Sequence, residues 1–208
     1  WDKIDPDAFD GTNTPDTFVQ MPPTLTNDIQ KLRYMTEPLA EDVTIAGPIS
    51  ATFWASIDDD DTNWFVTLKD LGPCAYDRTG RKGETELPEL EERYLTKGML
   101  KASMRELDEE LSTPYKPWHK LTKEAEKKVV PGEINEYNVE VMSVCHTFKA
   151  GHRICVEISC LDLPDGANCV ADTEYIPYHI CRNATVRHDI YRDGTHPSHI
   201  LLPIIPNK

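Results

Sequence analysis

The chain has 208 residues, of which 39% are hydrophobic and 28% are charged, and its formal net charge is −14. This size allows one globular domain with a sizeable core, and the acidic charge argues against a nucleic-acid-binding protein, because phosphate contacts need clustered Lys and Arg. No apolar run approaches the roughly 20 residues that span a bilayer, which argues against a membrane protein.

Two features of the chain bear on its origin and compartment. Residues 1–30 lack the apolar segment of a signal peptide, and the chain begins with Trp1 rather than Met. We therefore expect a fragment of a longer polypeptide, and a cytoplasmic location is favoured. The six cysteines contain no Cys-x-x-Cys pair, which argues against a zinc knuckle. Reduced thiols are favoured over disulfides, although both alternatives stay open.

Residues 1–31 are predicted to be an extended lead-in that packs on the domain. They are rich in Asp, Thr and Pro and show little periodicity. We expect them to wrap the domain rather than to form a packed element, with Trp1, Phe9, Phe18 and Met21 as anchors.

Residues 32–208 are predicted to form a single β-sandwich. From Leu32 onward, β-branched and aromatic residues lie between Pro and Asp clusters, a pattern that favours short strands at close spacing. The predicted strands are Leu32–Thr36, Val43–Pro48, Ile49–Ile57, Trp64–Leu68, Tyr94–Leu107 and Thr195–Pro203.

Long connections separate these strands. Leu71–Glu92 is predicted to be a surface excursion, and Asp108–Val130 a long connection across the sandwich with one or two helical turns at Thr122–Lys128. Ala167–Arg192 is predicted to be irregular, with one or two strands. A final strand that follows long connections is typical of Greek-key or jelly-roll winding.

The stretch Val139–Ser159 has the clearest strand pattern. Apolar and polar residues alternate on both sides of the interruption Phe148-Lys149-Ala150-Gly151, and a period of two indicates strands with one face on a core. Gly151 can adopt positive φ at the turn. The pattern predicts an antiparallel hairpin.

Taken in order, these segments resemble the C-terminal non-catalytic domain of the X-Pro dipeptidyl-peptidase and cocaine esterase family, the CocE/NonD hydrolases. The matching residues are Leu32-x-Tyr34-x-Thr36-x-Pro38-Leu39, Ile45-x-Gly47-Pro48, Asp61-Thr62-x-Trp64-x-Val66-x-Leu68-x-Asp70, Gly98-x-Leu100-x-Ala102-Ser103-x-Arg105, Pro131-Gly132-Glu133, Phe148-x-x-Gly151-His152-Arg153-Ile154 and His196-Pro197-Ser198-x-Ile200-x-Leu202-Pro203. They extend from about Leu32 to Pro206.

The resemblance implies an all-β jelly-roll sandwich, similar to galactose-binding modules, that follows an α/β-hydrolase domain with a Ser-Asp-His triad. Members of the family cleave esters or amides, including X-Pro peptide bonds, through an acyl-enzyme. This chain has no Gly-x-Ser-x-Gly motif, so the catalytic domain of the family is missing from it.

Three polar clusters are candidate sites. Ser198, His199 and His196 lie close to Asp189 and Asp193 in sequence, but a nucleophile needs a base at about 3 Å, so we expect hydrogen bonding in turns rather than catalysis. The run Asp58–Asp61 is expected to be a solvated loop rather than a Ca²⁺ site, because alternate residues of an extended segment point apart. No catalytic residue, metal ligand or cofactor is predicted.

Gly151, His152, Arg153 and Trp64 are predicted to have a structural role, in a turn or in a contact between domains. Arg153 could pair with an anion or a partner carboxylate, but a salt bridge that holds the turn is favoured. A sugar-binding face could be lined by the aromatic residues Trp54, Trp64, Tyr115, Trp118, Tyr175 and Tyr178. Trp54 and Trp64 fall inside predicted strands, so a position in the core or at an interdomain surface is favoured for them.

The sequence thus predicts an accessory β-sandwich that is inactive alone and that packs on, and shapes, the catalytic domain of the same parent chain. A homo-oligomer is compatible with this role. The alternatives are a free-standing carbohydrate-binding module and a self-sufficient esterase that depends on Ser198.

Overall fold

A computed structural model describes residues 14–26, 28–73, 90–162 and 179–206, and these residues form ten β-strands. The strands are β1 (Asp16–Gln20), β2 (Lys31–Met35), β3 (Val43–Ile57), β4 (Asn63–Pro73), β5 (Leu90–Lys101), β6 (Asn135–Phe148), β7 (Arg153–Ser159), β8 (Val186–Tyr191), β9 (His199–Leu201) and β10 (Ile204–Ile205). The all-β prediction is confirmed. Among the described segments, no helix is long and apolar enough to cross a membrane.

The strands pair in the order β1-β8-β3-β6-β5-β4-β7-β2, and each pairing is antiparallel. β3 is the longest strand, and along one edge it pairs in turn with β10, β9 and β8. β5 and β6 are paired at Gly98 and Val141, where the sheet folds over into two layers. The first layer contains β1, β8, β9, β10, β3 and β6, and the second contains β5, β4, β7 and β2.

Gly98 permits the close approach of β5 and β6 at the point where the sheet folds over. A Cβ added to Gly98 would lie 2.2 Å from the carbonyl oxygen of Glu140, a backbone atom that cannot rotate away. Only a residue without a side chain can therefore occupy this position.

The core lies between the two layers and is built from the inward residues of each alternating strand. Val139 and Val141 of β6 and Val156 of β7 are at most 5% exposed. Trp64 of β4 is fully buried, and its ring centroid lies 5.3 Å from that of Phe53 on the facing layer. Burial of an apolar side chain of this kind, relative to its exposure to water, stabilises the fold by about 1.5–3 kcal/mol.

The predicted hairpin over Val139–Ser159 is wrong in its pairing, although both of its strands exist. β6 pairs with β3 and β5, whereas β7 pairs with β4 and β2. The turn between them crosses from one layer to the other. A period of two determines which face of each strand is buried, but it carries no information about the neighbouring strand.

The lead-in contains a packed element, contrary to the sequence-based expectation. Asp16–Gln20 forms β1 and pairs along its whole length with β8. Phe18 is 6% exposed, as expected of an anchor, whereas Met21 is 45% exposed. Trp1 and Phe9 lie outside the described residues.

Several predicted boundaries also differ. The excursion predicted for Leu71–Glu92 starts and ends inside paired strands, since Leu71 pairs with Glu92 and Pro73 with Leu90; residues 74–89 lie outside the described ranges. The strand predicted for Tyr94–Leu107 ends at Lys101 and continues as the 3-10 helix Ala102–Met104.

The connection between β5 and β6 lies across the sandwich, as predicted. It is linked to β3 by a hydrogen bond from the Ser50 hydroxyl to the Pro114 carbonyl, 2.7 Å long, and by one from the Gly132 N–H to the Ile57 carbonyl, 2.8 Å long. The predicted helical turn is present as the 3-10 helix Lys123–Ala125, capped by the Thr122 side chain.

Candidate functional site

The turn between β6 and β7 is tied to the segment that follows β2. Gly151 has a φ of +84°, a left-handed conformation that glycine adopts without strain, and its N–H donates to the Leu39 carbonyl at 2.8 Å. The Arg153 guanidinium donates to the Thr36 carbonyl at 2.9 Å. Both residues therefore form contacts that hold the turn in place.

His152 shares a carboxylate with a second histidine. Asp70 lies with one oxygen 2.8 Å from His152 Nδ1 and with the other 2.7 Å from His146 Nε2. A Cβ at Gly72 would lie 2.5 Å from the His152 ring, so this glycine leaves the space that the ring occupies. The cluster joins β4, β6 and the turn at one end of the sandwich.

The acidic run after β3 does not converge on one point. The Asp58 carboxylate accepts from the Arg187 N–H at 2.8 Å, and Asp60 lies 2.8 Å from Lys128 Nζ. Across the described residues, no group of three or more His, Cys, Asp or Glu side chains is arranged to hold a metal ion.

Asp61, the first residue of the motif that extends from Asp61 to Asp70, has a structural role. It is 8% exposed, and its Oδ1 accepts from the N–H groups of Thr62 at 3.0 Å and Ser103 at 2.9 Å. Its Oδ2 lies 2.8 Å from Lys101 Nζ. The carboxylate thus joins the start of β4 to the end of β5, which are far apart in sequence.

Trp64 lies in the core and offers no surface to another domain. Its side chain is fully buried against Phe53, Tyr137 and His188. The ring centroid of each of these residues lies 5.3 Å from that of Trp64. His188 is equally buried, and its Nε2 lies 2.8 Å from the Thr62 hydroxyl. Burial lowers the pKa of His188 to about 4, so the ring is neutral at pH 7.

The Ser198 hydroxyl is occupied by main-chain hydrogen bonds. It donates to the Tyr191 carbonyl at 2.5 Å and accepts from the Trp54 N–H at 3.1 Å. The His196 ring faces a neighbouring carboxylate at 3.0 Å, and the His199 ring faces a backbone carbonyl at 2.8 Å. Ser198 therefore fills the gap between β8 and β9 along β3, and neither histidine is placed as its base.

A network of ion pairs covers the outer side of the second layer. The Glu157 side chain is fully buried and lies 2.5 Å from Arg33, 2.9 Å from Lys69 and 3.3 Å from Lys31. Burial would raise the pKa of Glu157, but these cations, Lys69 foremost, lower it below its usual range. Glu92 also pairs with Arg33 and Lys69, which links β2, β4, β5 and β7.

Two of the predicted aromatic residues are exposed on the connection between β5 and β6. Tyr115 is 53% exposed and Trp118 is 47% exposed. Lys116 Nζ lies 5.8 Å from the centroid of the Trp118 ring, within cation–π distance. Tyr175 and Tyr178 lie outside the described residues.

Comparison with known families identifies the domain. Residues 3–201 match the model of the X-Pro dipeptidyl-peptidase C-terminal non-catalytic domain. The chain belongs to this family. The resemblance inferred from the sequence motifs is therefore confirmed.

Relatives of this X-Pro dipeptidyl-peptidase C-terminal domain are much longer proteins. A putative serine esterase of Mycobacterium tuberculosis is 27% identical over 181 residues, which cover 86% of this chain and 24% of the relative. The cocaine esterase of a Rhodococcus species is 27% identical over 175 residues, or 84% of this chain and 25% of the relative. The chain thus spans about a quarter of the length of these relatives.

Solved structures share the fold. A CocE/NonD family hydrolase from Staphylococcus aureus superposes with a TM-score of 0.65 at 23% identity, over 93% of this chain and 34% of that chain. An α-amino acid ester hydrolase superposes with a TM-score of 0.54 at 22% identity, over 84% of this chain and 25% of that chain.

Two features were not predicted from the sequence. β8 is one of the strands predicted within Ala167–Arg192, but the inward position of His188 was not predicted, although Val186, His188 and Ile190 alternate as inward residues of a strand do. A cleft of about 650 Å³ opens between β1 and β2. No local sequence pattern indicates it, because its walls come from six strands.

Proposed function

We propose that this chain is the accessory β-sandwich of a CocE/NonD-type serine hydrolase and has no hydrolytic activity by itself. The observation that supports this most strongly is the family match over residues 3–201, together with relatives of which the chain covers about a quarter. The position of Ser198 agrees with it, because a hydroxyl bonded to two main-chain groups is not an activated nucleophile.

The parent reaction in this proposal is acyl transfer to water, on an ester or on an X-Pro peptide bond. The relatives include a cocaine esterase and putative serine esterases, which favours ester hydrolysis. The accessory domain would pack on the α/β-hydrolase domain of the same polypeptide and shape the substrate entrance.

The connection between β5 and β6 is the surface that we propose for this packing. Leu111, Tyr115, Trp118 and Leu121 are each between 47% and 68% exposed on it. Main-chain hydrogen bonds such as Asp108 N–H to the Trp118 carbonyl, 2.8 Å, hold the segment in order. Apolar and aromatic side chains on an ordered exposed segment are typical of a protein contact surface.

The test compares this chain with the natural full-length polypeptide on p-nitrophenyl acetate and on Gly-Pro-p-nitroanilide. We expect turnover by the full-length polypeptide only. Hydrolysis of either substrate by the 208-residue chain, abolished by Ser198→Ala, would contradict the proposal. Amide hydrogen exchange tests the surface: residues 108–121 should exchange more slowly in the full-length polypeptide than in this chain.

A carbohydrate-binding module is the second candidate, favoured by the exposure of Tyr115 and Trp118. It predicts that titration with simple hexoses and oligosaccharides shifts the NMR signals of these two side chains in a saturable way. Saturable shifts that Trp118→Ala abolishes would favour this candidate over domain packing.

A further inference from the structure

The cleft between β1 and β2 is a large cavity among the described residues, and its walls are mainly apolar. Its volume is about 650 Å³, within the range of roughly 300–1,000 Å³ that is usual for small-molecule sites. The second cavity, beside Gln20 and Cys181, has a volume of about 20 Å³ and holds no more than a water molecule.

The floor of the cleft is the core itself. It is formed by Ala51 and Phe53 of β3, Val156 and Ile158 of β7, Ile190 of β8 and Ile200 of β9. These side chains come from both layers, so the cleft reaches between them. A molecule bound there would displace water from apolar side chains, which is favourable.

The opening exists because β1 and β2 do not pair with each other. In the described part of the chain, β1 pairs with β8 and β2 pairs with β7, so the two strands face each other across the cleft. Their contact is made by side chains: the Tyr34 hydroxyl donates to Asp16 Oδ2 at 3.1 Å. Most residues that line the cleft therefore belong to strands.

Three polar residues of the cleft, Tyr34, Asp16 and Arg192, meet at this contact. Arg192 Nε lies 2.5 Å from Asp16 Oδ2, and Arg192 Nη2 lies 3.3 Å from Oδ1. The two charges neutralise each other, and burial, with the charge of Asp16, raises the pKa of Tyr34, which keeps its phenol protonated. The Asp16–Arg192 pair and the protonated phenol of Tyr34 thus offer hydrogen-bonding groups without a net charge at this contact.

We propose that the cleft is a binding site for a small, uncharged amphipathic molecule with an aliphatic or aryl body and one hydroxyl or carbonyl group. The body lies on the floor between Phe53 and Ile158, and the polar group lies at the Tyr34–Asp16–Arg192 contact. A charged molecule is disfavoured, because the apolar floor does not compensate for the loss of hydration of an ion. The site goes beyond the proposed accessory role and does not depend on it.

The test is an NMR titration of this chain, and of the natural full-length polypeptide, with 1-octanol and benzyl alcohol. The charged counterparts octanoate and octylammonium are titrated in parallel. We expect saturable shifts and intermolecular NOEs from the uncharged probes to the methyl groups of Val156, Ile158 and Ile200, and at least tenfold weaker binding of the charged probes.

Two variants locate the site. Ala51→Leu adds a branched side chain to the floor and should weaken octanol binding at least tenfold, whereas the matched control Ala184→Leu, at an exposed position outside the cleft, should not. Tyr34→Phe leaves the core intact and should weaken octanol binding severalfold, which keeps the test informative if Ala51→Leu does not fold.

Several results would overturn the proposal. These are the absence of saturable binding by either alcohol, NOEs to residues outside the cleft, equal binding by octanoate, or octanol binding unchanged in folded Ala51→Leu. Binding to the 208-residue chain but not to the full-length polypeptide would also overturn it, since another part of the polypeptide would then fill the cleft.

Discussion

Lowering the pH from 7.5 to 5.0 is expected to destabilise the folded chain through His188. The ring is fully buried, stacks on Phe18 with the centroids 4.5 Å apart, and has a pKa of about 4 against an ordinary value of 6.5. Because the folded-state pKa is lowered, the stabilisation is fully present above pH 6.5 and is lost as the pH falls towards 4.

The size of the effect follows from proton linkage. At pH 5.0 the unfolded chain binds a proton at this histidine almost completely, whereas the folded chain hardly binds one. With values of 6.5 and about 4, the free energy of unfolding falls by about 2 kcal/mol between pH 7.5 and pH 5.0 through this group alone.

Urea unfolding of the wild type and of His188→Gln at both pH values measures this contribution. Between pH 7.5 and pH 5.0, the free energy of unfolding should fall by about 2 kcal/mol more in the wild type than in His188→Gln. The matched control His199→Gln, on the edge strand β9, should keep the wild-type difference because it leaves His188 in place. Equal losses in the wild type and in His188→Gln, or an NMR titration midpoint for the His188 ring above pH 6, would refute the reasoning.

Three substitutions test the packing. Gly98→Ala should destabilise the chain by about 3 kcal/mol or more in urea unfolding, because its Cβ would clash with a backbone carbonyl. The control Gly194→Ala, in open space, should change stability by less than about 0.5 kcal/mol. Similar values for the two variants would contradict the close approach of β5 and β6 at Gly98. Glu157→Gln should lower the free energy of unfolding by about 1.5–3 kcal/mol, because the fully buried side chain loses its charge-assisted bonds to Arg33 and Lys69, which keep only Glu92 among the described residues. Glu37→Gln, 93% exposed, should change it by almost nothing. Ser198→Ala should lower the thermal midpoint by removing about 1–3 kcal/mol and leave the full-length polypeptide's turnover per folded molecule unchanged; a loss of turnover without a loss of stability would assign the hydroxyl to catalysis.

The predictable part of the fold is the part encoded by local alternation. Val139 and Val141, and Ile154 and Val156, were expected on buried faces and are buried. The pairing of their strands was not predictable, since β6 and β7 lie in different layers although a short turn joins them. Strand neighbours are chosen by how the two sheets pack, which depends on residues far away in sequence.

The candidate site shows the same division. The motif residues Asp61 and Ser103 were recognisable from the sequence, but their 2.9 Å hydrogen bond was not, because 42 positions separate them. Asp58 is exposed, as expected of a solvated loop, whereas Asp61 of the same acidic run is buried and joins two strands. Burial of a carboxylate depends on whether distant N–H groups and a lysine reach it, and that is decided only in the folded chain.

The amino-acid sequence by itself determined the all-β class and the family of this domain, because period-two alternation and ordered motifs are local properties of the chain. Only the tertiary structure decided that Ser198 bonds to main-chain groups, that His188 is buried and neutral, and that a cleft separates β1 from β2. The physical reason is that hydrogen-bond partners, desolvation and cavities arise between strands that are brought together by packing, and no residue specifies them alone.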